Sequence, residues 1–315
     1  MSTIAEQLKM QPAAPEESRA LLLNTRAPWL KATRRFIQQK PLGAFGALLV
    51  IVFVLTAAFA EQIAPYPYDE CKGCPVRVPP TNGFVLGTDN LGRDMFSRIV
   101  WGARISVAVG FGAVLVGTGL ATVLGILSGY FGGKFDLILQ RFVDIWISVP
   151  AIILLIVMIS VFTNRNTDSQ SSVILVAATL GVLVAAGSSR VVRSAVIGIR
   201  HQAFMEAARA VGCGHWRVII HHVLPNVFAP ILILATTQLG AAILAEATLS
   251  FLGYGVKPPF PAWGSMLSGN GRQYFLIAPW LAIWPGLAIS LSVFGFNMFG
   301  DALRDVLDPR LRGSR

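Results

Sequence analysis

Charged residues are scarce in this sequence, since Asp, Glu, Lys and Arg make up only 13% of its 315 residues, against about 25% in soluble domains. Hydrophobic residues account for 54%. So little charge excludes an ordinary soluble protein and indicates an integral membrane protein. Acidic residues are scarcer than basic ones, since 16 Asp and Glu stand against 26 Lys and Arg and the net charge is +10.

Cysteine is nearly absent, and two of the 3 cysteines, Cys71 and Cys74, form a C-x-x-C. A tetrahedral zinc site needs two further ligands that the neighbouring sequence does not offer. A thioredoxin-like role needs its own fold around the motif. We therefore expect a local disulfide or two free thiols, and the sequence leaves these two states open.

Histidine is also rare, with 4 in the chain. His215, His221 and His222 follow Cys213 closely, but no carboxylate lies among them. The cluster therefore favours hydrogen bonding at an interface over a metal site, and we expect no metal.

Six intervals without a charged residue are long enough to cross about 30 Å of hydrocarbon as a helix. They cover 41–60, 105–133, 145–164, 169–189, 218–245 and 273–300. The sequence therefore predicts an all-α fold with six transmembrane helices. Six crossings place both termini on one side of the membrane.

Basic residues predict which side that is, because short cytoplasmic segments carry the excess of Lys and Arg. With the termini inside, the cytoplasmic segments hold 18 of the 26 basic residues. We therefore expect both termini in the cytoplasm. The positive charge is mostly a topology signal, so a nucleic-acid partner is unnecessary.

The predicted organisation follows from these crossings. We expect a cytoplasmic N-terminal tail, a first transmembrane helix retained as a signal anchor, an extracytoplasmic loop, a core permease domain with five transmembrane helices, and a cytoplasmic C-terminal tail. These segments cover 1–40, 41–60, 61–104, 105–300 and 301–315. The core includes a cytoplasmic loop at 200–226.

Carboxylates near the predicted spans fall at their ends, with Asp144 at the inner end of the third and Glu246 toward the outer end of the fifth. A proton-coupled transporter more often keeps a carboxylate at mid-depth. This placement argues against coupling to an ion.

Gly125, Gly129 and Gly133, four apart, predict close packing of the second span against another helix, in this chain or in another subunit.

The stretch "EAARAVGCGHWRVIIHHVLPN", Glu206 to Asn226, lies between the fourth and fifth spans. We expect the fourth helix to continue into the cytosol and to end at Gly212 and Gly214, with a new helix starting at Pro225. Phe204, Ala207, Ala208 and Val211 fall at i, i+3, i+4 and i+7, which predicts one small apolar face. Either a partner protein or the chain itself must cover that face.

Glu206-Ala207-Ala208, Gly212 and Leu224-Pro225 resemble the signature loop of the membrane subunits of bacterial ABC importers. His222 stands where the general pattern has Ile, which is similar to the dipeptide and oligopeptide branch. Three further stretches resemble the C-type permease of that branch: "LGTDNLGRDMFSRIVWGARISV" (86–107), "EATLSFLGYGVKPPFPAWGSML" (246–267) and "FNMFGDALRDVLDPRLR" (296–312). The likeness covers about residues 35–312.

The resemblance implies a type I ABC importer permease that contains no cofactor and is not an enzyme. ATP and Mg²⁺ would bind in two partner ATPase subunits, because this sequence has no G-x-x-x-x-G-K-[ST] loop. A second permease subunit would complete a heterodimer, and an extracytoplasmic solute-binding protein would deliver the solute. Dipeptides, longer peptides, glutathione, nickel chelates and other small solutes all remain open.

Two sets of site residues follow from the resemblance. ATPase coupling is expected at Glu206, Ala207, Ala208, Gly212, Leu224 and Pro225. On the outer side, docking of the binding protein or gating is expected at Asp89, Arg93 and Asp94, within a short interfacial helix over 89–101. Salt bridges and loop capping alone are the alternative there, and residues 253–267 read as a rigid re-entrant turn or a stiff surface loop.

Two rival functions stay open on the sequence. A membrane enzyme would use the His and Cys cluster, and it should act when purified without an ATPase. A secondary transporter would work alone, driven by an ion gradient with ATP absent.

Overall fold

The computed structural model describes residues 36–38, 40–69, 75–81, 83–163 and 167–307. Cys71 and Cys74 lie outside these residues, as do most of the two predicted tails. Within them the regular structure is helical, with isolated bridges joining Thr81 to Phe84 and Thr88 to Asp94. The all-α prediction is confirmed.

Among the residues that the structure describes, five helices are long and apolar enough to cross a membrane, and a bent pair taken as one span meets the same criteria for a sixth. The helices before the cytoplasmic loop are α1 (Pro41–Ala58), α2 (Ala60–Ile63), α3 (Met95–Phe131), α4 (Gly133–Ser148), α5 (Ala151–Phe162) and α6 (Ser169–Ile199). After them come α7 (Ala203–Ala210), α8 (His215–Val218), a π-helical turn (Ile219–Val223), α9 (Leu224–Phe251), α10 (Trp263–Met266), a second π turn (Leu267–Gly271) and α11 (Trp280–Leu307).

The third crossing differs from the straight helix predicted over 145–164. It is made by α4 and α5, which meet at an angle of 92°. Val149 is extended there, with φ −83° and ψ 131°, because the ring of Pro150 disfavours a helical conformation in the residue before it. Residues 145–148 therefore belong to α4, and α5 has only 12 residues.

The second crossing begins ten residues before the predicted limit, at Met95. Asp94 caps this helix by accepting hydrogen bonds from the Ser97 backbone N–H at 2.8 Å and the Ser97 hydroxyl at 2.7 Å. Such a cap satisfies amide groups that the first helical turn leaves free. The prediction of a separate interfacial helix over 89–101 is therefore wrong, since residues 95–101 are the first turns of α3.

Glycines let α3 and α6 pack closely within this one chain. A Cβ on Gly125 would lie 2.7 Å from the Ser189 carbonyl oxygen, and one on Gly181 would lie 2.8 Å from that of Ala113. Small residues allow this backbone approach in lipid. Gly129 packs on α6 in the same way, whereas Gly133 starts α4 with φ +56°. The packing of Gly125 and Gly129 is therefore internal.

Residues 252–279 form a segment that turns back onto the bundle between α9 and α11. Trp263 is buried in it, and its indole N–H donates to the Ile99 carbonyl at 3.0 Å. Gly264 lies directly against the backbone of Ala247. These contacts bind the segment to α3 and α9 and make it rigid, as both the re-entrant turn and the stiff surface loop predict.

Candidate functional site

The loop predicted to meet the ATPase is an elbow of two short helices, α7 and α8, joined by residues 211–214. Gly212 adopts φ +83°, a left-handed conformation that glycine reaches without a steric penalty. The Gly212 N–H donates to the Arg209 carbonyl at 2.9 Å, and the Cys213 N–H donates to that of Ala208 at 3.1 Å. These bonds close the end of α7 as a glycine C-cap does, while Gly214 begins the next helix as its N-cap.

The elbow is not a direct extension of α6, contrary to the prediction. That helix ends at Ile199, and Gln202 is extended, with φ −77° and ψ 151°. The chain therefore changes direction over Arg200–Gln202 before α7 begins. The sequence has no proline or glycine at these three positions, so packing decides the break.

One side of α7 packs into an apolar cluster of its own chain. Met205 is completely buried, Ala208 is 8% exposed, and Phe204 packs partly against the same residues. The cluster, called here the inner cluster, consists of Ile126, Tyr130, Val192, Val196, Met205, Ala208, Val218, Ile219, Val223, Val227 and Leu234. It fixes the elbow to the C-terminal parts of α3 and α6 and to the N-terminal part of α9.

The opposite side of α7 is exposed and made of small apolar residues. Ala203, Ala207, Ala210 and Val211 follow at i, i+4, i+7 and i+8, and Val211 is 83% exposed. This exposed elbow face replaces the face predicted from Phe204, Ala207, Ala208 and Val211. The prediction failed because α7 docks through Met205 and Ala208, which turns Phe204 inward with them.

The remaining predicted coupling residues take different positions. Glu206 and Gly212 are exposed beside the exposed elbow face, whereas Leu224 is half-buried against the inner cluster. Pro225 does not restart a helix, since residues from His215 to Phe251 form one continuous helix. The π turn before Pro225 widens the helix where the proline ring would otherwise clash with the carbonyl four residues earlier.

Tyr130 at the end of α3 connects the elbow to the spans. Its hydroxyl lies 3.0 Å from Nδ1 of His215, and the Arg209 guanidinium lies 5.8 Å from the centre of its ring. Phe131 also contacts the His215 ring, with 5.8 Å between centroids. His215 thus has a hydrogen-bonding role. Across the part of the chain that the structure describes, no three His, Cys, Asp or Glu side chains converge as metal ligands.

At the end of the bundle opposite the elbow, Asp89 organises the loop before α3. It is 1% exposed, and its carboxylate accepts hydrogen bonds from the backbone N–H groups of Leu91 at 2.8 Å and Arg93 at 2.9 Å. The Arg93 side chain donates to it at 2.7 Å, and Arg98 lies 3.7 Å away. Asp89 and the helix cap Asp94 therefore make the salt bridges and capping contacts that the alternative interpretation of this loop predicts.

Arg98 also holds the segment before this loop. Arg98 donates to the Tyr68 carbonyl at 2.9 Å, and the Tyr68 ring packs on that of Trp101 with 4.8 Å between centroids. Burial raises the pKa of the Tyr68 phenol, and the negative charge of Asp69 raises it further.

Sequence reasoning missed the ion pairs between α4 and α6. Arg193 donates through Nε to Asp136 at 2.7 Å, and Arg190 pairs with Asp144. It also missed the environment of Glu246, which is fully buried and accepts hydrogen bonds from Ser106 at 3.2 Å and Ser250 at 2.7 Å. The two acids are eight residues apart on α4 and the two arginines are three residues apart on α6, so the sequence predicts their pairing only when the angle between the two helices is known.

Comparisons with known proteins agree with this architecture. The family described as "Binding-protein-dependent transport system inner membrane component" matches residues 121–313, and the "N-terminal TM domain of oligopeptide transport permease C" matches residues 27–80. A chain of the MetNI methionine ABC transporter, solved in inward-facing conformations, superposes with a TM-score of 0.54. At 22% identity, over 68% of this chain and 98% of that one, it shows a shared fold.

Curated relatives are more similar in sequence. The dipeptide transport system permease protein DppC of Alkalihalophilus pseudofirmus is 40% identical over 286 residues, 91% of each chain. The glutathione transport system permease protein GsiD of Pectobacterium atrosepticum is 37% identical over 92% of this chain and 93% of its own. This chain therefore belongs to the inner-membrane permeases of binding-protein-dependent ABC importers, in the peptide branch of that family.

Proposed function

We propose that this chain is one half of the translocation path of an ATP-driven importer that takes up dipeptides or oligopeptides. The 40% identity to a dipeptide permease over 91% of the chain is the observation that carries the solute class. The 37% identity to a glutathione permease keeps that tripeptide as an alternative cargo. Nickel chelates and other small solutes are further alternatives.

The exposed elbow face is the proposed contact with the ATPase. One side of α7 is fixed by Met205 and Ala208, so the other side cannot turn inward to bury Ala207 and Val211. A small-residue face held in this way lets a partner surface approach the helix backbone closely. Glu206 beside it offers a charge to that partner, and Gly212 holds the turn that presents the face.

Buried contacts carry movement of the elbow into the membrane helices. Ala208 and Leu224 belong to the inner cluster or pack on it, and Pro225 follows in the helix that runs on to Phe251. A push on the exposed elbow face would therefore shift α3, α6 and α9 together. Coupled transport requires two conformations of the permease, whose relative populations are shifted by ATP on one side of the membrane and by solute delivery on the other.

The energy source is proposed to lie in other subunits. This sequence has no phosphate-binding loop, so ATP and Mg²⁺ would bind in two partner ATPases. A second permease would form the other half of the path, and the extracytoplasmic binding protein would dock at the outer loops. Asp89, Arg93 and Asp94 would act there by shaping the loop that presents exposed neighbours such as Leu91, which is 62% exposed.

Orientation follows from the distribution of basic residues. With both termini in the cytoplasm, 18 of 26 Lys and Arg lie on the cytoplasmic side. The elbow then faces the ATPase compartment, and the re-entrant turn faces the binding protein.

The buried Glu246 does not favour a secondary transporter. It lies five residues before the end of α9 at Phe251 and accepts hydrogen bonds from Ser106 on α3 and from Ser250 one turn further along α9. The Ser106 hydroxyl ties α9 to α3, which gives the carboxyl a structural role near the outer end of the bundle.

Reconstitution tests the proposal directly. The chain, purified with its co-encoded permease and ATPases, would be placed in proteoliposomes with the binding protein loaded with a dipeptide. We expect accumulation that requires ATP and the binding protein and that persists when ion gradients are collapsed. Uptake driven by a proton gradient without ATP would support the secondary transporter instead.

A further inference from the structure

The bent crossing formed by α4 and α5 is attached to the rest of the bundle in two different ways. Its second half is held by apolar packing, because Leu155 and Ile159 of α5 belong to a buried cluster with residues of α3, α6, α9 and α11. By contrast, among the residues that the structure describes, none of α4 or α5 belongs to the inner cluster. The inner cluster therefore does not by itself carry a movement of the elbow into this crossing.

The first half of the crossing, α4, packs less completely. Val143 is the one buried residue of this helix, all of which the structure describes. A cavity of about 210 Å³ separates part of α4 from α3 and α6, and its walls include Leu120, Leu139, Phe142, Trp146 and Val182. Within this chain, α4 is therefore held largely by polar contacts.

Asp136 makes the best shielded of these polar contacts. Its carboxylate accepts two hydrogen bonds from the Arg193 guanidinium on α6, at 2.7 Å from Nε and 2.5 Å from Nη2, and a third from the Ser128 hydroxyl on α3. The Asp136 side chain is only 16% exposed. A two-pronged pair between arginine and a carboxylate fixes the geometry of the contact as well as strengthening it. Asp136 therefore attaches α4 to both neighbouring helices at one point.

A second ion pair between α4 and α6 is more exposed. Asp144 pairs with Arg190, but their side chains are 46% and 45% exposed. Exposed ion pairs contribute little, because water and salt screen the two charges. Asp136 and Arg193 therefore form the stronger attachment, and the pair is called here the polar clamp.

The polar clamp lies on the helical turns that also carry the inner cluster. Arg193 directly follows Val192 on α6, and Val192 belongs to the inner cluster. On α3, Ser128 stands two residues before Tyr130, another member of that cluster. The two backbones touch here, since a Cβ on Gly129 would lie 3.0 Å from the Arg193 carbonyl oxygen. A displacement of the inner cluster therefore moves both groups that bind Asp136.

The chain between α3 and α4 does not fix the direction of α4. Gly132 and Gly133 interrupt the helix with φ +65° and +56°, conformations that glycine adopts without a steric penalty. A Cβ on Gly132 would collide with the guanidinium of Arg200, the residue at which α6 ends. Because the helix is interrupted at this corner, side-chain contacts set the position of α4 relative to α3.

We propose that Asp136 and Arg193 are positioning residues for transport, because the polar clamp makes the bent crossing follow α3 and α6 when the elbow moves. Without the clamp, α4 pivots at Gly132 and Gly133, and the movement does not reach α5. This inference rests on the proposed function, in which an ATPase moves the elbow. It does not depend on which solute is transported.

Solute moved per ATP hydrolysed, measured in the reconstituted importer with the full chain, tests the polar clamp. Asp136→Asn and Arg193→Gln would be compared with the parent chain, singly and together. We expect each single change to lower the ratio at least about fivefold, the lower end of typical coupling effects. The double variant should be no worse than either single one, because the two residues act through one contact. Co-purification of the ATPases should not change.

Asp144→Asn is the matched control, since it makes the same chemical change in the exposed pair on the same helix. It should keep the ratio of the parent chain. The polar clamp is overturned by a parental ratio in Asp136→Asn, by losses that multiply in the double variant, or by an equal loss in Asp144→Asn.

Spin-label distances in the same complex separate this inference from the proposed function. In a chain whose three cysteines are replaced by serine, one label pair at Val211 and Leu276 reports movement of the elbow. Another pair, at Val211 and Arg141, reports movement of α4 relative to the elbow. Both would be measured with and without ATP in the parent chain and in Arg193→Lys, which keeps the charge but loses the planar fork.

We expect ATP to change the elbow distance in both chains and the distance to α4 in Arg193→Lys alone. An elbow distance that ATP leaves unchanged would contradict the proposed function, and the polar clamp would fall with it. If ATP changes the elbow distance, but the distance to α4 responds identically in the two chains, the polar clamp alone is overturned.

Discussion

The Tyr130 hydroxyl lies 3.0 Å from Nδ1 of His215, which joins the last turn of α3 to the first residue after the elbow turn. Tyr130 is 5% exposed and belongs to the inner cluster, whereas His215 is exposed on the elbow. The pair therefore connects a buried part of the membrane bundle to the element that is proposed to meet the ATPase.

Tyr130→Phe tests this connection, because it removes the hydroxyl and keeps the ring contacts with Arg209 and Phe131. A hydrogen bond contributes about 0.5–1.5 kcal/mol net, so we expect solute moved per ATP hydrolysed to fall roughly two- to tenfold. The amount of ATPase that co-purifies should not change, since the exposed elbow face is intact. An unchanged ratio of transport to hydrolysis would show that the bond carries no coupling.

Asp89→Asn tests whether the outer acidic residue shapes its loop or contacts the binding protein. The change leaves Arg93 and Arg98 without a countercharge, and the Arg98 side chain is only 8% exposed. Removing one partner of a buried ion pair costs about 3–5 kcal/mol, so we expect a lower unfolding temperature and less permease in the membrane. Leu91→Ser, at an exposed neighbour, is the stability control. Normal stability with weaker binding of the solute-binding protein would instead indicate direct docking by Asp89.

Gly125→Leu tests the close packing of α3 on α6. The new side chain would meet the Ser189 carbonyl and Val192, and overpacking of this kind costs about 1–3 kcal/mol or more. We expect insertion without stable assembly, measured as rapid degradation or loss of a monodisperse peak in detergent. Gly119→Leu is the matched control, because a Cβ at Gly119 would meet nothing within 4 Å. Equal behaviour of the two variants would contradict the internal packing.

The orientation of the chain can be tested by labelling. In a variant with serine at Cys71, Cys74 and Cys213, which we expect to retain uptake, a cysteine would be placed at Val211 or Leu276. Leu276 is 95% exposed in the re-entrant segment, so an impermeant thiol reagent should label it in intact cells. Cysteine at Val211 should react only after the cells are opened.

Positions near the chain ends extend this test. Cysteines at Arg26 and Arg310, outside the residues that the structure describes, should behave like the one at Val211. Labelling of all three from outside would reverse the topology. A separate variant with only Cys71→Ser and Cys74→Ser should also retain uptake, and loss of uptake in it with normal insertion would show that the C-x-x-C has an essential role.

Much of the fold was predictable because lipid imposes a length on apolar segments. Each of the six uncharged intervals overlaps a helix or the bent pair. The bend at Val149 and Pro150 was missed because a count of uncharged residues takes no account of backbone angles. The start of α3 at Met95 was missed because its first turns carry charged residues that pack in the protein.

The glycine turn of the elbow was predictable from the sequence, whereas the choice of which side of α7 is exposed was predictable only in part. Gly212 sits where the left-handed conformation is needed, and local chemistry alone specifies that. Which side of α7 is buried depends on the angle at which it docks, so Phe204 and Ala207 could not be separated by spacing. The pairing of Asp136 with Arg193 depends in the same way on how two helices cross.

The central claim, that the exposed elbow face couples this permease to an ATPase, is tested by Gly212→Trp and Glu206→Lys. A Cβ at Gly212 meets no neighbour, but φ of +83° disfavours any larger residue, so the first change distorts the turn that presents the face. The second reverses an exposed charge beside it. Gly214→Ala, at φ −65° with open space around it, and Glu206→Gln are the matched controls.

The decisive measurement is a pull-down of the ATPase made alongside solute uptake for these four variants. We expect normal amounts of permease throughout, with weaker ATPase co-purification and uptake reduced at least fivefold for Gly212→Trp and Glu206→Lys only. A coupling free energy of about 1–3 kcal/mol is sufficient for such a loss. If both variants bind the ATPase and transport solute like the parent chain, the elbow is an ordinary connecting loop and the coupling role is contradicted.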